Sequence, residues 1–205
     1  MNEINPLDQL NDIKSMMQKT SKFTSINGWS GVWVGTIGLI AAALVYFIIL
    51  ESKFKFHGLA PDELRDLKLG LLLIGTLVLA CSGGLYFIAK KSKREGNSFI
   101  NAVTKRILVR FLTILGIGGI VCGLLYYHLS FVYVAPATLL FYGLALLQIE
   151  RDTIKEIKIL GFLEIALGLL AFYFIYNGLL FWSIGFGLIH VIFGVYLINK
   201  YNDKP

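Results

Sequence analysis

Six long apolar runs constrain this chain more than anything else in its sequence. They fall at about residues 28–50, 69–89, 107–127, 131–149, 158–176 and 178–199. The hydrocarbon core of a bilayer is about 30 Å thick, and a helix needs roughly 20 apolar residues to cross it. Inside lipid every backbone N–H and C=O must be satisfied by the protein, and a helix does this within a single segment. Each run therefore reads as a transmembrane helix. Composition points the same way, because 56% of the 205 residues are apolar and only 16% are charged. A soluble domain of this length could not bury so much apolar surface. The sequence predicts an all-α integral membrane protein: residues 1–26 as a cytoplasmic amphipathic helix, and residues 27–205 as a domain of six transmembrane helices. No short basic start is followed at once by an apolar run, so no cleavable signal peptide is expected.

Lys and Arg set the orientation, since cytoplasmic loops retain positive charge. With both termini inside, fifteen of the nineteen basic residues lie on the cytoplasmic side. The other four, Lys53, Lys55, Arg65 and Lys68, lie in the first outer loop. The third and fifth loops carry none. The stretch KKSKREGNSFINAVTKR (90–106) carries much of the net charge of +6. It is expected to lie against anionic headgroups, which contribute about 1 kcal/mol per basic residue, and not to bind nucleic acid.

The first 24 residues differ in kind. In NPLDQLNDIKSMMQKTSKF, Leu7, Leu10, Ile13, Met17 and Phe23 recur near helical spacing. Asn5 suits the N-cap, Pro6 the first helical position, and Asp8 the capping box. An amphipathic helix on the cytoplasmic interface follows, with the lipid surface as its partner and a cytosolic protein as the alternative. Elsewhere, Thr153 and Glu156 in TIKE read as a capping box opening the fifth helix. Pro61 precedes an acidic turn that should start the second helix. Pro136 either kinks the fourth helix or marks its start. Trp29, Tyr126, Tyr127, Tyr176, Trp182 and Tyr201 fall near the expected interfaces, where aromatic belts form.

Glycines recur seven apart, at Gly31/Gly38, Gly116/Gly123, Gly161/Gly168 and Gly187/Gly194, with Gly35 and Gly119 thickening the first two stripes. Seven residues are nearly two helical turns, so each pair shares a face. Apolar surface does not drive helices together in lipid, and association relies on close packing over small residues. These stripes read as contacts between helices of one chain, with a homodimer as the lesser alternative. They favour three related hairpins over an inverted repeat, which would pair the first helix with the stripe-less fourth.

Two stripes frame ionisable residues: GFLEIALG (161–168) around Glu164, and GLIHVIFG (187–194) around His190. Both residues lie thirteen positions from Asn177, at the centre of the connecting turn. An antiparallel hairpin would set Gly161 against Gly194, Glu164 against His190, and Gly168 against Gly187. At about 1.5 Å per residue the polar pair would sit about 20 Å from the outer turn. A lone charge there is costly, so a partner is expected. Mutual hydrogen bonding is the simpler reading, and a proton-titratable or ligand-binding site is the other, since histidine switches near neutral pH. Arg110 and Gln148, on the cytoplasmic halves of other helices, are the candidates to join the pair, although Arg110 more simply snorkels to the headgroups.

Nothing points to a cofactor, a metal or an enzyme. Cys81 and Cys122 lie within apolar runs without a CxxC or Cys/His pattern. His57 and His128 belong to the outer side, far from His190. No HExxH, GxSxG or phosphate loop occurs.

The run KTSKFTSINGWSGVWVGTIGLIAA (19–42) resembles the opening of a group of uncharacterised multi-spanning membrane proteins from Bacteroidota. There a short amphipathic segment leads through a Ser-Gly pair into the first span. The resemblance implies a multi-pass protein of the bacterial inner membrane and carries no activity with it. Two functional readings follow from the residues. The one the sequence favours is a non-enzymatic structural or regulatory membrane protein presenting its amphipathic helix and basic loop to lipid or a partner. The alternative is a small transporter or channel built on Glu164 and His190.

Overall fold

The computed structural model describes residues 23, 26–55, 63–96, 101–128 and 131–201. The expected N-terminal amphipathic helix and His57 lie outside the described residues. Helix α1 spans Gly28–Lys55, α2 Glu63–Arg94, α3 Ala102–Tyr127, α4 Val134–Ile149 and α5 Glu156–Tyr173. Helix α6 has three consecutive parts: an α-helical turn at Gly178–Trp182, a π-helical stretch at Ser183–Ile189, and an α-helix at His190–Tyr201. Single 3-10 turns at Phe131–Tyr133, Glu150–Asp152 and Ile175–Asn177 join or lead into the last three helices.

Among the described residues, five segments are long and apolar enough to cross a membrane: Gly28–Ile49, Leu67–Arg94, Ala102–Tyr127, Phe131–Asp152 and Ile175–Tyr201. Six were expected. The remaining helix, α5, has 18 residues and contains Glu156, Lys158 and Glu164, so its composition sets it apart from the other five. Helices α2 and α3 begin earlier than their apolar runs, because each opens with a polar turn. The side chain of Asn101 caps α3 by accepting from the Thr104 N–H at 2.9 Å. Pro136 lies in the first turn of α4, where its missing N–H is not needed, so it marks the start of the helix.

Helix α1 packs on α2 and α6, α5 on α4 and α6, and α3 on α4. Glycines decide the closest of these contacts. A Cβ at Gly31 would lie 2.9 Å from the Gly194 Cα, and one at Gly38 would lie 2.5 Å from the Phe186 carbonyl oxygen. Helices α1 and α6 therefore touch backbone to backbone. A Cβ at Gly168 would lie 2.9 Å from the Leu140 nitrogen, and one at Gly143 would lie 2.7 Å from the Gly161 oxygen, which brings α4 and α5 equally close. The contact of α1 with α2 is made by a larger group. The Trp33 indole fits over Gly83 and donates to the Leu79 carbonyl at 2.9 Å.

Two of the expected glycine pairings are therefore corrected. Gly161 and Gly168 pack on α4, while Gly187 and Gly194 pack on α1, so the stripes of α5 and α6 do not face one another. The count from Asn177 assumed two straight α-helices, and a π-helical stretch in α6 changes which face each later residue presents. Among the described residues the α3 stripe has no neighbour either. Gly116, Gly119 and Gly123 have open space where a Cβ would be, and Gly118 is the α3 glycine that packs, on Phe141.

The basic end of the bundle is tied by ion pairs. Asp152, just after α4, pairs with Arg110 at 2.5 Å and Arg106 at 3.2 Å, and its backbone oxygen accepts from the Phe23 N–H at 2.7 Å. Glu156 accepts from Lys200 and Tyr201, joining the start of α5 to the end of α6. The expected capping box is absent: the Thr153 hydroxyl donates to the Ile149 carbonyl at 3.1 Å, and Glu156 is drawn to α6. Leu146, Ile149, Ile154, Ile157, Leu160 and Leu197 fill the core beside these pairs. On α2 and α3, leucines and isoleucines such as Leu71, Ile74, Leu77, Leu112, Ile117 and Ile120 are exposed, as faces solvated by lipid chains would be.

The glycine contacts make a paired prediction. A side chain at Gly194 must push α1 from α6, because the atoms it would meet are backbone atoms of Gly28 and Val32. Overpacking of this kind costs about 1–3 kcal/mol. Gly194→Val should lower the thermal midpoint of the detergent-extracted protein, while Gly119→Ala should leave it unchanged. Equal effects of the two substitutions would contradict this packing.

Candidate functional site

Glu164 sits midway along α5, on a face turned toward α6, and is 0% exposed. Among the described residues, neither oxygen of its carboxyl has a hydrogen-bond partner. One reason is Gly185, in the π-helical stretch. A Cβ at that position would lie 2.6 Å from Glu164 Oε2, so the bare glycine lets the carboxyl come this close to α6. The same point lies 2.6 Å from Leu139 Cδ2 and 3.3 Å from Leu167 Cδ1, which makes that side of the carboxyl apolar.

His190 begins the last part of α6 and is 3% exposed. Its side chain reaches back over the preceding turn, as helical side chains do. The structure brings Nδ1 to 3.4 Å from Glu164 Oε1. The hydrogen bonds of the ring go elsewhere. Nδ1 lies 2.8 Å from the Gly185 carbonyl oxygen, and Nε2 lies 2.9 Å from the Tyr142 hydroxyl on α4. A carbonyl only accepts, so Nδ1 carries the hydrogen, and in the neutral ring Nε2 then accepts from Tyr142. Phe186 stacks on the imidazole with ring centroids 5.9 Å apart and 20° between planes. It also lies 5.0 Å from the Tyr142 ring, and Phe111 of α3 meets Tyr142 edge-on at 6.0 Å.

The pair expected from the sequence is thus in contact, but it is not a mutually satisfied pair. His190 spends its bonds on Tyr142 and Gly185, and Glu164 is left without a donor. Arg110 does not join the site, because Asp152 holds it at the basic end. Gln148 is exposed on α4. Tyr142 is a member that the sequence reading missed. The signal was present in FYGLALLQ (141–148), where a tyrosine falls inside a span far from either aromatic belt. A buried hydroxyl there needs a partner. The partner itself could not be read, because α4 and α6 are adjacent in space and not in sequence.

Among the described residues no cluster of three or more His, Cys, Asp or Glu side chains could hold a metal. Cys81 and Cys122 are free. Comparison of the chain with protein-family models, with curated proteins and with solved structures finds no match.

Chemically, the arrangement is a fully buried carboxyl group with apolar neighbours on one side, beside an imidazole whose position is held by other groups. A bare carboxylate without donors in such a place costs many kcal/mol, and such a group either holds a proton or has a cation beside it. Stability should report the asymmetry. Glu164→Leu removes no hydrogen bond and should leave the protein equally or more stable. His190→Ala leaves Tyr142 and Gly185 unpaired and should cost about 1–3 kcal/mol. Thermal unfolding in detergent measures both, and a Glu164→Leu loss as large as that of His190→Ala would mean the carboxyl serves the fold.

Proposed function

We propose that this chain is a six-span, non-enzymatic protein of the bacterial inner membrane, with both termini cytoplasmic, that works as a small proton-linked transporter or channel. Glu164 is the group that takes up and releases the proton. In this reading α5 is the remaining span, and its three charged residues have distinct roles. Glu156 and Lys158 lie at the cytoplasmic boundary, where Glu156 meets Lys200 and Lys158 pairs with Glu150 at 3.5 Å. Glu164 lies within the membrane.

The observation that carries the proposal is the fully buried, donorless Glu164 carboxyl. A residue retained for helix association would be hydrogen-bonded across the interface. Ionisable groups inside membranes are costly and mark ion pathways and proton relays. The π-helical stretch facing the carboxyl adds support, because π segments within α-helices occur often at functional sites. The structural or regulatory reading, with its amphipathic helix and basic loop 90–106 on lipid or a cytosolic partner, gives a donorless Glu164 carboxyl no role.

Two measurements test the proposal. In proteoliposomes carrying an internal pH dye and a potassium-diffusion potential, proton uptake by the wild-type protein should exceed that of Glu164→Gln by about tenfold or more. A hydrophobic carbodiimide, which adds across a protonated carboxyl, should label Glu164, with loss of label at alkaline pH. Uptake no faster than in protein-free vesicles sinks the transport reading, and absence of labelling at any pH sinks the titratable site.

A further inference from the structure

The hydrogen bonds around His190 lead in one direction. Tyr142 is only half-buried, His190 is almost wholly buried, and Glu164 is completely so. The distances along this series are 2.9 Å from the Tyr142 hydroxyl to Nε2 and 3.4 Å from Nδ1 to Glu164 Oε1. The imidazole has its lone pair toward the more open residue and its N–H on the side of the closed one. An imidazole set in this way can take a proton at one nitrogen while giving one up at the other.

We infer that Tyr142, His190 and Glu164 form a proton relay, with Tyr142 as its entry and the Glu164 carboxylate as its end. The inference rests on the proposed reading of Glu164 as the proton-accepting group. In the inward step the Tyr142 O–H bond breaks as an N–H bond forms at Nε2. The Nδ1–H bond breaks as an O–H bond forms on Glu164. Tyr142 regains a proton from water, which this step requires to reach its less buried side. The transfers are concerted, so neither tyrosinate nor imidazolium accumulates, and one proton has moved from water to Glu164. Release runs through the same bonds in reverse.

The Gly185 carbonyl acts as the stop. It holds the Nδ1 hydrogen at 2.8 Å while Glu164 waits at 3.4 Å. The last transfer therefore needs the imidazole to turn its N–H from the carbonyl to the carboxylate and the 3.4 Å gap to close. Gly185 lies in the π-helical stretch, so the backbone of α6 sets this choice. Tyr142 and Gly185 are positioning and transfer groups here, and Glu164 is the one that stores the proton. Cys81 of α2 is the further titratable group within electrostatic reach of Tyr142.

The test follows the infrared carbonyl band of protonated Glu164, identified by its absence in Glu164→Gln, after a rapid drop in pH on the full-length protein in lipid. Tyr142→Phe removes the entry hydroxyl and leaves His190 and Glu164 in place. It should slow appearance of the band by about tenfold or more, with the same final amplitude. His190→Gln should slow it likewise. If the band rises as fast in Tyr142→Phe as in wild type, the relay is overturned and the titratable Glu164 stands. If wild type shows no such band at any pH, the proposed function fails and the relay with it. A Tyr142→Phe protein with the thermal midpoint of wild type excludes misfolding as the cause of slowing, and Tyr142→Trp, which fills the space without an acidic hydroxyl, repeats the measurement should Tyr142→Phe prove unstable.

Discussion

Backbone-to-backbone contact over glycine is the constraint on which the rest of this structure depends. Lipid chains solvate leucine as well as another helix does, so apolar surface alone does not choose neighbours within a membrane. What chooses them is the number of atoms that can come into contact, and that number rises when no side chain stands between two helices. Gly28, Gly31, Gly35 and Gly38 give α1 a continuous bare edge, and Gly187 and Gly194 give α6 the matching one. On the other side, Gly143, Gly161 and Gly168 do the same for α4 and α5. With these two pairs closed, α4 and α6 both meet α5 around Glu164 and touch each other through Tyr142 and His190.

The site is a consequence of that arrangement. Helix α6 turns a glycine edge to α1 and the His190 imidazole to Tyr142 and Glu164, and it does both within a few residues. The π-helical stretch makes this possible by altering the rotation per residue between Ser183 and Ile189. It also places Gly185 against Glu164, where the absent side chain admits the carboxyl and the carbonyl engages the imidazole. One short stretch of irregular helix thus supplies both the space and the hydrogen-bond acceptor of the site.

The charged residues divide by depth. Asp152, Arg106, Arg110, Glu150, Lys158, Glu156 and Lys200 gather at one end of the bundle, where each finds an opposite charge. Asp152 and Glu156 are buried, while their basic partners stay partly open. The effect of these pairs is to fix which helix ends lie together. Glu164 stands apart from them, with an imidazole nearby and no hydrogen-bond donor among the described residues.

The sequence by itself determined the class of this protein. Runs of apolar residues longer than a bilayer is thick leave a helix as the one solution for the backbone, and five of the six expected segments appear as apolar helices of spanning length. The count from Asn177 also anticipated that Glu164 and His190 would come close, although it failed for the glycines flanking them. The glycine partners were not legible, because period and spacing show which residues share a face and not which helix that face meets. Nor were the fates of Arg110, claimed by Asp152, and of Tyr142, which reaches His190 from a helix distant in sequence. Those were decided by the tertiary structure alone. Glycine packing and the π-helical turn set the rotation of each helix, and rotation determines whether a buried carboxyl meets a donor or, as here, meets none.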